Sequence, residues 1–281
     1  MPSQNLAASR LLADISATLD SLDRPAIADP VAWAEERLGF RLDPWQRGLL
    51  IDDHQRLLLC CPRQSGKSTV VAARTAYLMV NRPGIRIVAL APTIRQSAML
   101  SAKTADVLRG ESLRTETATK LVLANGSTLD ALPGDQPKTI RGATADVVLI
   151  DEASRVRNEL VVAALPMVAA TGGAITMLST PAGASGAFYD AWTSGEDEWT
   201  RSQVTVADVG HYDAKTLKTM RRRLGERLFG QEFENAFLAA PGALFSPEDI
   251  DALFDMNNAD AYVPAVPAAA AGPADIWTPV F

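Results

Sequence analysis

The chain has 281 residues, 47% of them hydrophobic, and its 27 Lys and Arg against 33 Asp and Glu give a formal net charge of -6. This supports one large domain, or a domain with an appendage, and excludes a simple basic nucleic-acid binder while leaving local basic surfaces open. The two cysteines, Cys60 and Cys61, are adjacent, which excludes a disulfide scaffold and a cysteine-based metal site and fits a reducing compartment.

Residues 4–22 carry Leu6, Leu11, Leu12, Ile15 and Leu19 at helical spacing and read as one amphipathic helix. Asp29-Pro30 opens a helix through VAWAEERLG, and Asp43-Pro44 opens a shorter one in LDPWQRGLLIDD. RLLLCC is a short apolar run, hence a buried strand. The helix KSTVVAARTAYLMVN follows and stops before Arg82-Pro83-Gly84. The alternation then repeats. IRIVALAP is a strand, IRQSAMLSAKTADVLRG a helix, and ATKLVLANGSTLDALP two short strands hinged at Asn125-Gly126. ADVVLIDEA is a strand, NELVVAALPMVAA a helix, GAITMLSTPAG a strand, SGAFYDAWTSG a helix and WTRSQVTVAD a last strand.

Strands alternating with helices predict an α/β fold: a mostly parallel sheet covered on both faces, with the hairpin as its one antiparallel insertion. From about residue 210 the pattern changes to helix and loop, and Ser246 and Pro247 open a helix in SPEDIDALF. The tail from Met256 to Phe281 is rich in Ala and Pro and reads as linker or disorder. There is no leader pattern and no apolar run of about 20 residues, so the expectation is a soluble, cytoplasmic protein without a membrane segment.

Four motifs carry chemistry. CCPRQSGKST ends as a phosphate-binding loop does, with Arg63, Gln64, Ser65, Gly66, Lys67, Ser68 and Thr69 between a strand and a helix. There, backbone N–H groups and a helix N-terminus converge on phosphate oxygens. Lys67 would hold the terminal phosphates and Ser68 would ligate Mg²⁺, with Thr69 beside it. Cys61 stands where the usual pattern has its first glycine. Arg63 adds a charge within reach of either the γ-phosphate or a neighbouring carboxylate. VVLIDEA places Asp151 and Glu152 at the end of an apolar strand, where one carboxylate can coordinate Mg²⁺ and the next can act as general base toward water. In MLSTPAG, Ser179 and Thr180 end another strand, where small hydroxyls either sense the γ-phosphate or make a plain turn. Gln46, in PWQ, either reads adenine through one donor and one acceptor or packs on a turn.

DPWQ, CPRQSGKST, LAPTIRQSAML, IRGATADVVLIDEA and LSTPAG, in this order, resemble the ATPase domain of the large terminase subunit of tailed bacteriophages, from about Asp29 to about Leu253. In that family the phosphate loop commonly lacks its first glycine and carries Arg-Gln. The resemblance implies a P-loop NTPase of the RecA-like class with a small helical lid after it. It divides the chain into an N-terminal helix (1–28), an ATPase core (29–208), a lid (209–255) and a tail (256–281).

It implies ATP and Mg²⁺ as cofactors. Gln46 would contact adenine, while Arg63, Gly66, Lys67 and Ser68 hold phosphates and metal. Asp151 supports the metal, Glu152 is the base, and Ser179 to Pro181 couple hydrolysis to movement. Arg141 matches the position of an arginine finger that reaches a neighbouring subunit; its other reading is a salt bridge. The implied partners are double-stranded DNA, a small terminase subunit and further copies in a ring on a procapsid portal, in the cytoplasm of a bacterial host. Arg221, Arg222, Arg223 and Arg227 form a basic patch for DNA, a neighbouring subunit or solvent. Family members usually continue into a nuclease domain with clustered Asp residues; Asp260 and Asp275 of the tail have no strand framework around them, so nuclease activity is not expected. The rival readings are a helicase-like DNA-dependent ATPase and a nucleotide-binding fragment without turnover.

Overall fold

The computed structural model describes residues 12, 15–19, 25–134, 140, 142–195 and 197–238. Of the N-terminal amphipathic segment, Leu12 and residues 15–19 are described and are helical. Arg141, the helix expected at Ser246 and the Ala/Pro-rich tail lie outside the described residues.

After that segment come two short helices, α1 (Pro30–Leu38) and α2 (Pro44–Ile51). Asp29 caps α1 by accepting from the N–H groups of Val31 and Ala32 at 2.9 and 3.0 Å, as the Asp-Pro pair predicts. There follow β1 (Arg56–Cys60), α3 (Lys67–Asn81), β2 (Arg86–Ala91) and α4 (Ile94–Val107). Three strands come next, β3 (Leu113–Glu116), β4 (Lys120–Leu123) and β5 (Thr128–Pro133). The second half holds β6 (Val147–Asp151), α5 (Asn158–Ala169), β7 (Ala174–Ser179), α6 (Ala187–Thr193), β8 (Thr200–Gln203) and α7 (Ala214–Phe233).

The eight strands form one sheet in the order β3-β4-β5-β2-β6-β7-β1-β8. All neighbours from β5 to β8 run parallel, while β3–β4 and β4–β5 are antiparallel. The expected hairpin around Asn125-Gly126 is β4–β5, and β3 extends it by a strand that the sequence pattern did not reveal. The core parallel strands are near-continuous apolar runs because both faces are covered. Leu57 and Leu59 join Val70, Val71 and Leu100 of α3 and α4 on one face; Leu58 joins Leu160 and Met167 of α5 and Phe188 of α6 on the other. Adjacent strand residues point to opposite faces, so Cys60 and Cys61 fall into different cores.

This topology sets the site. β7 lies between β6 and β1, with Cys60 in register with Ser179 and Asp151 in register with Leu178. The phosphate loop, the acidic pair and the Ser-Thr turn therefore all leave the same sheet edge from three adjacent strands.

Candidate active site

The loop between β1 and α3 begins at Cys61, whose N–H donates to the carbonyl of Ser179 at 2.9 Å. Cys61 does not adopt a positive φ, so the missing glycine is not required there; the left-handed positions of the loop are Gln64 (φ 56°) and Gly66 (φ 85°). Gly66 is needed twice over. Its φ disfavours other residues, and a Cβ there would lie 2.8 Å from Gln46 Nε2. From Lys67 onward the chain is helical, so the loop's last N–H groups lie in the first turn of α3.

Lys67 is 9% exposed, and its ammonium lies 2.8 Å from Glu152 Oε1. The Ser68 hydroxyl donates to Asp151 Oδ2 at 3.4 Å across 83 positions of sequence. Asp151 ends β6 at 7% exposure, and burial pushes its carboxyl above the ordinary range, against the pull of Lys67. Glu152 occupies a left-handed conformation (φ 52°, ψ 42°), sparsely populated for a non-glycine residue and typical of a functional site. Asp151 Oδ1 accepts the Glu152 N–H at 2.9 Å, and Arg155, on the single 3-10 turn that follows, reaches Glu152 Oε2 at 3.1 Å. Glu152 thus lies between two cations, Lys67 and Arg155.

Ser179 joins the parts. Its carbonyl receives the Cys61 N–H, and its hydroxyl accepts the Ser154 N–H at 3.1 Å and donates to the Thr180 carbonyl at 2.8 Å. One residue at the end of β7 therefore touches both the loop entrance and the segment after the acidic pair. The Thr180 side-chain hydroxyl is buried there without a hydrogen-bond partner.

Gln46 sits at the start of α2, 5% exposed. Its Oε1 accepts the Asp43 N–H at 2.9 Å and its Nε2 donates to the Ser65 carbonyl at 3.4 Å. The amide is joined to the loop at one end and to the helix cap at the other, with one N–H and one lone pair left over. Arg63 forms an ion pair with Glu232 of α7. The Thr69 hydroxyl meets Lys103 Nζ of α4 at 3.4 Å. The structure thus brings Gln46, Ser65, Gly66, Lys67, Ser68, Asp151, Glu152, Ser179 and Thr180 to one sheet edge. Sequence reasoning missed Arg155, Lys103 and Glu232; the first had a signal in its position three after Glu152 on a turn, the other two had none.

The residues present fit Mg²⁺. Ser68 and Asp151 are hard oxygen donors side by side, the small protein share that Mg²⁺ takes when phosphates and waters supply the rest. Among the described residues no group of three or more His, Cys, Asp or Glu could hold a metal by itself.

The family model described as "Terminase large subunit, T4likevirus-type, N-terminal" matches residues 58–252. The chain belongs to the large terminase subunit family. The large terminase subunit of Escherichia phage T5 is 24% identical over 203 residues, 68% of this chain and 46% of that protein, so the chain spans about half the length of that terminase. Among solved terminase structures, the ATPase domain of Thermus phage P74-26 superposes with a TM-score of 0.63 at 22% identity, covering 73% of this chain and 97% of that one. A thermophilic bacteriophage large terminase solved with ATP-gamma-S has a TM-score of 0.59 at 15% identity, covering 70% of this chain and 53% of that one. At these identities the likeness concerns the RecA-like fold. Among the described residues no helix is long and apolar enough to cross a membrane.

Proposed function

We propose that this chain is the Mg²⁺-dependent ATP-hydrolysing motor domain of a phage or prophage large terminase, driving double-stranded DNA into a procapsid. The observation that carries the reading is the convergence of Lys67 on Glu152 and of Ser68 on Asp151, which puts the phosphate-binding and acid–base groups in one site. Lys67 and the loop N–H groups orient the triphosphate, with Arg63 as a further charge at the loop. Ser68 and Asp151 hold the metal, which when bound supplies charge neutralisation at the transferred phosphoryl group. Glu152 accepts the proton of the water that attacks the terminal phosphorus, and ADP departs as the bridging P–O bond breaks. Arg155 orients Glu152 from the far side. Ser179 carries any shift of the loop to the acidic segment, because it touches both. Gln46 takes adenine with its spare donor and acceptor.

The same reading assigns residues 29–208 to the ATPase core and 209–255 to a lid that begins with α7. It places the chain in a ring on the portal with a small terminase subunit in the bacterial cytoplasm, and gives Arg141 the role of a finger acting on a neighbouring copy. It expects no nuclease activity, which a plasmid-cleavage assay with Mg²⁺ or Mn²⁺ checks. DNA protected from nuclease inside procapsids, in the presence of ATP and this chain, is the deciding experiment. Protection lost on Glu152→Gln supports the motor. DNA-stimulated hydrolysis without any packaging would favour the helicase-like reading, and nucleotide binding without phosphate release would favour the inert fragment.

A further inference from the structure

The phosphate loop is held from outside as well as by its own sequence. Arg63, at its middle, spends three groups on the C-terminal side of the described chain. Its N–H donates to the Glu232 carbonyl at 2.9 Å, its guanidinium pairs with the Glu232 carboxylate, and its carbonyl accepts the Tyr212 hydroxyl. The next residue, Gln64, holds φ 56°, which a non-glycine residue keeps only where its surroundings enforce it.

The holding side is firm. Phe229, Gly230 and Phe233 of α7 are buried, and Phe229 stacks on Phe233 with centroids 4.9 Å apart. The Tyr212 ring meets Phe233 edge-on at 5.7 Å, and the buried Asn235 side chain donates to the Val204 carbonyl. Ahead of this anchored half, α7 breaks at Gly225 (φ 76°, ψ 163°), so the anchored turns are separate from the basic arm that carries Arg222 and Arg223.

We propose that Glu232 and Tyr212 are positioning residues for the phosphate loop, fixing the Arg63 peptide so that the loop is preformed for phosphate. The inference rests on the nucleotide-binding reading of this loop. It accounts for a loop that keeps its shape with Cys61 at its entrance: the entrance is tied to Ser179, and the middle to Tyr212 and to Glu232 of α7. The Arg63 guanidinium side of the ion pair is 58% exposed and therefore screened, so the two main-chain bonds carry most of the effect.

The test is equilibrium binding of ATPγS and of ADP to the full chain, with thermal midpoints measured alongside. Tyr212→Phe removes one hydroxyl and is expected to weaken both nucleotides about five-fold, as the population of preformed loop falls. The same loss is expected in an Arg63→Ala background, because its acceptor is a main-chain carbonyl. Glu232→Gln is expected to weaken both about two-fold, and to have no effect once Arg63 is alanine. Unchanged dissociation constants in both variants, with or without a lower thermal midpoint, would overturn the proposal. So would tighter binding of ATPγS alone in Glu232→Gln, which would make Glu232 a competitor of phosphate for Arg63. Wild-type protein that binds neither nucleotide would instead remove the reading of the site itself, and this inference with it.

Discussion

The Lys67 ammonium and the Glu152 carboxylate are ion-paired at 2.8 Å, although one is assigned to phosphate and the other to water. On the proposed reading, a bound triphosphate would take the ammonium away from the carboxylate and leave Glu152 to the water. Glu152→Gln removes the competing charge while keeping the shape. The variant is expected to bind ADP at least as tightly as the wild type, by up to about five-fold. Isothermal titration checks this; clearly weaker binding would mean that the pair builds the site rather than competing for it.

Asp151 is a buried carboxylate whose proton affinity is raised because burial outweighs the attraction of Lys67. A raised carboxyl makes the folded state bind protons more readily than the unfolded chain, so stability falls as pH rises through the window above the ordinary carboxylate range. Asn is isosteric and can serve the same neighbours, the Glu152 N–H and the Ser68 hydroxyl. Asp151→Asn is expected to raise stability at pH 7 without metal by about 0.5–2 kcal/mol, and to abolish Mg²⁺-dependent turnover. Urea unfolding with EDTA, beside phosphate release, reads both.

Cys60 and Cys61 lie against the loop and are both buried. Burial pushes the Cys60 thiol up to about 12, only partly opposed by Lys67, and burial raises Cys61 as well. Thiolate is the reactive form, so native protein at pH 8 should leave both thiols unreacted with a disulfide reagent such as DTNB, while unfolded protein titrates two. Rapid native reaction would show that the loop base opens to solvent.

At the opposite end of β2, Asp146 accepts from the Arg86 N–H at 2.8 Å and from its guanidinium at 3.1 and 3.2 Å. The Arg86 side chain, followed by its backbone N–H, holds the Asp146 carboxyl below the usual range. A lowered carboxyl contributes stability that is present above the unfolded-state value and lost as pH falls through the folded-state value. Thermal midpoints from pH 6 down to pH 3 should fall more steeply in the wild type than in Asp146→Asn. Parallel curves would leave the pair without a role in acid stability.

Much of this was legible because the informative residues are local. Helix α3 occupies Lys67–Asn81, the stretch that the apolar periodicity and Arg82-Pro83-Gly84 delimit, and the apolar runs at β1, β2, β6 and β7 are buried on both faces. Strand β3 was not legible: Leu113–Glu116 has one apolar residue among charged and polar ones and is paired only at the sheet edge. Cys61 made the loop look altered, yet its backbone needs no glycine. The tie from Tyr212 to Arg63 spans 149 positions and leaves no trace in spacing. The direction of Arg63, open between phosphate and carboxylate in the sequence, is toward Glu232 in the fold.

The most direct test of the account is phosphate release from Mg-ATP over a range of protein concentrations, with and without DNA, for wild type, Lys67→Ala and Glu152→Gln. Turnover by the wild type is expected to rise with assembly, and each variant is expected to lose at least about 10²-fold. Comparable release from all three proteins would contradict the account.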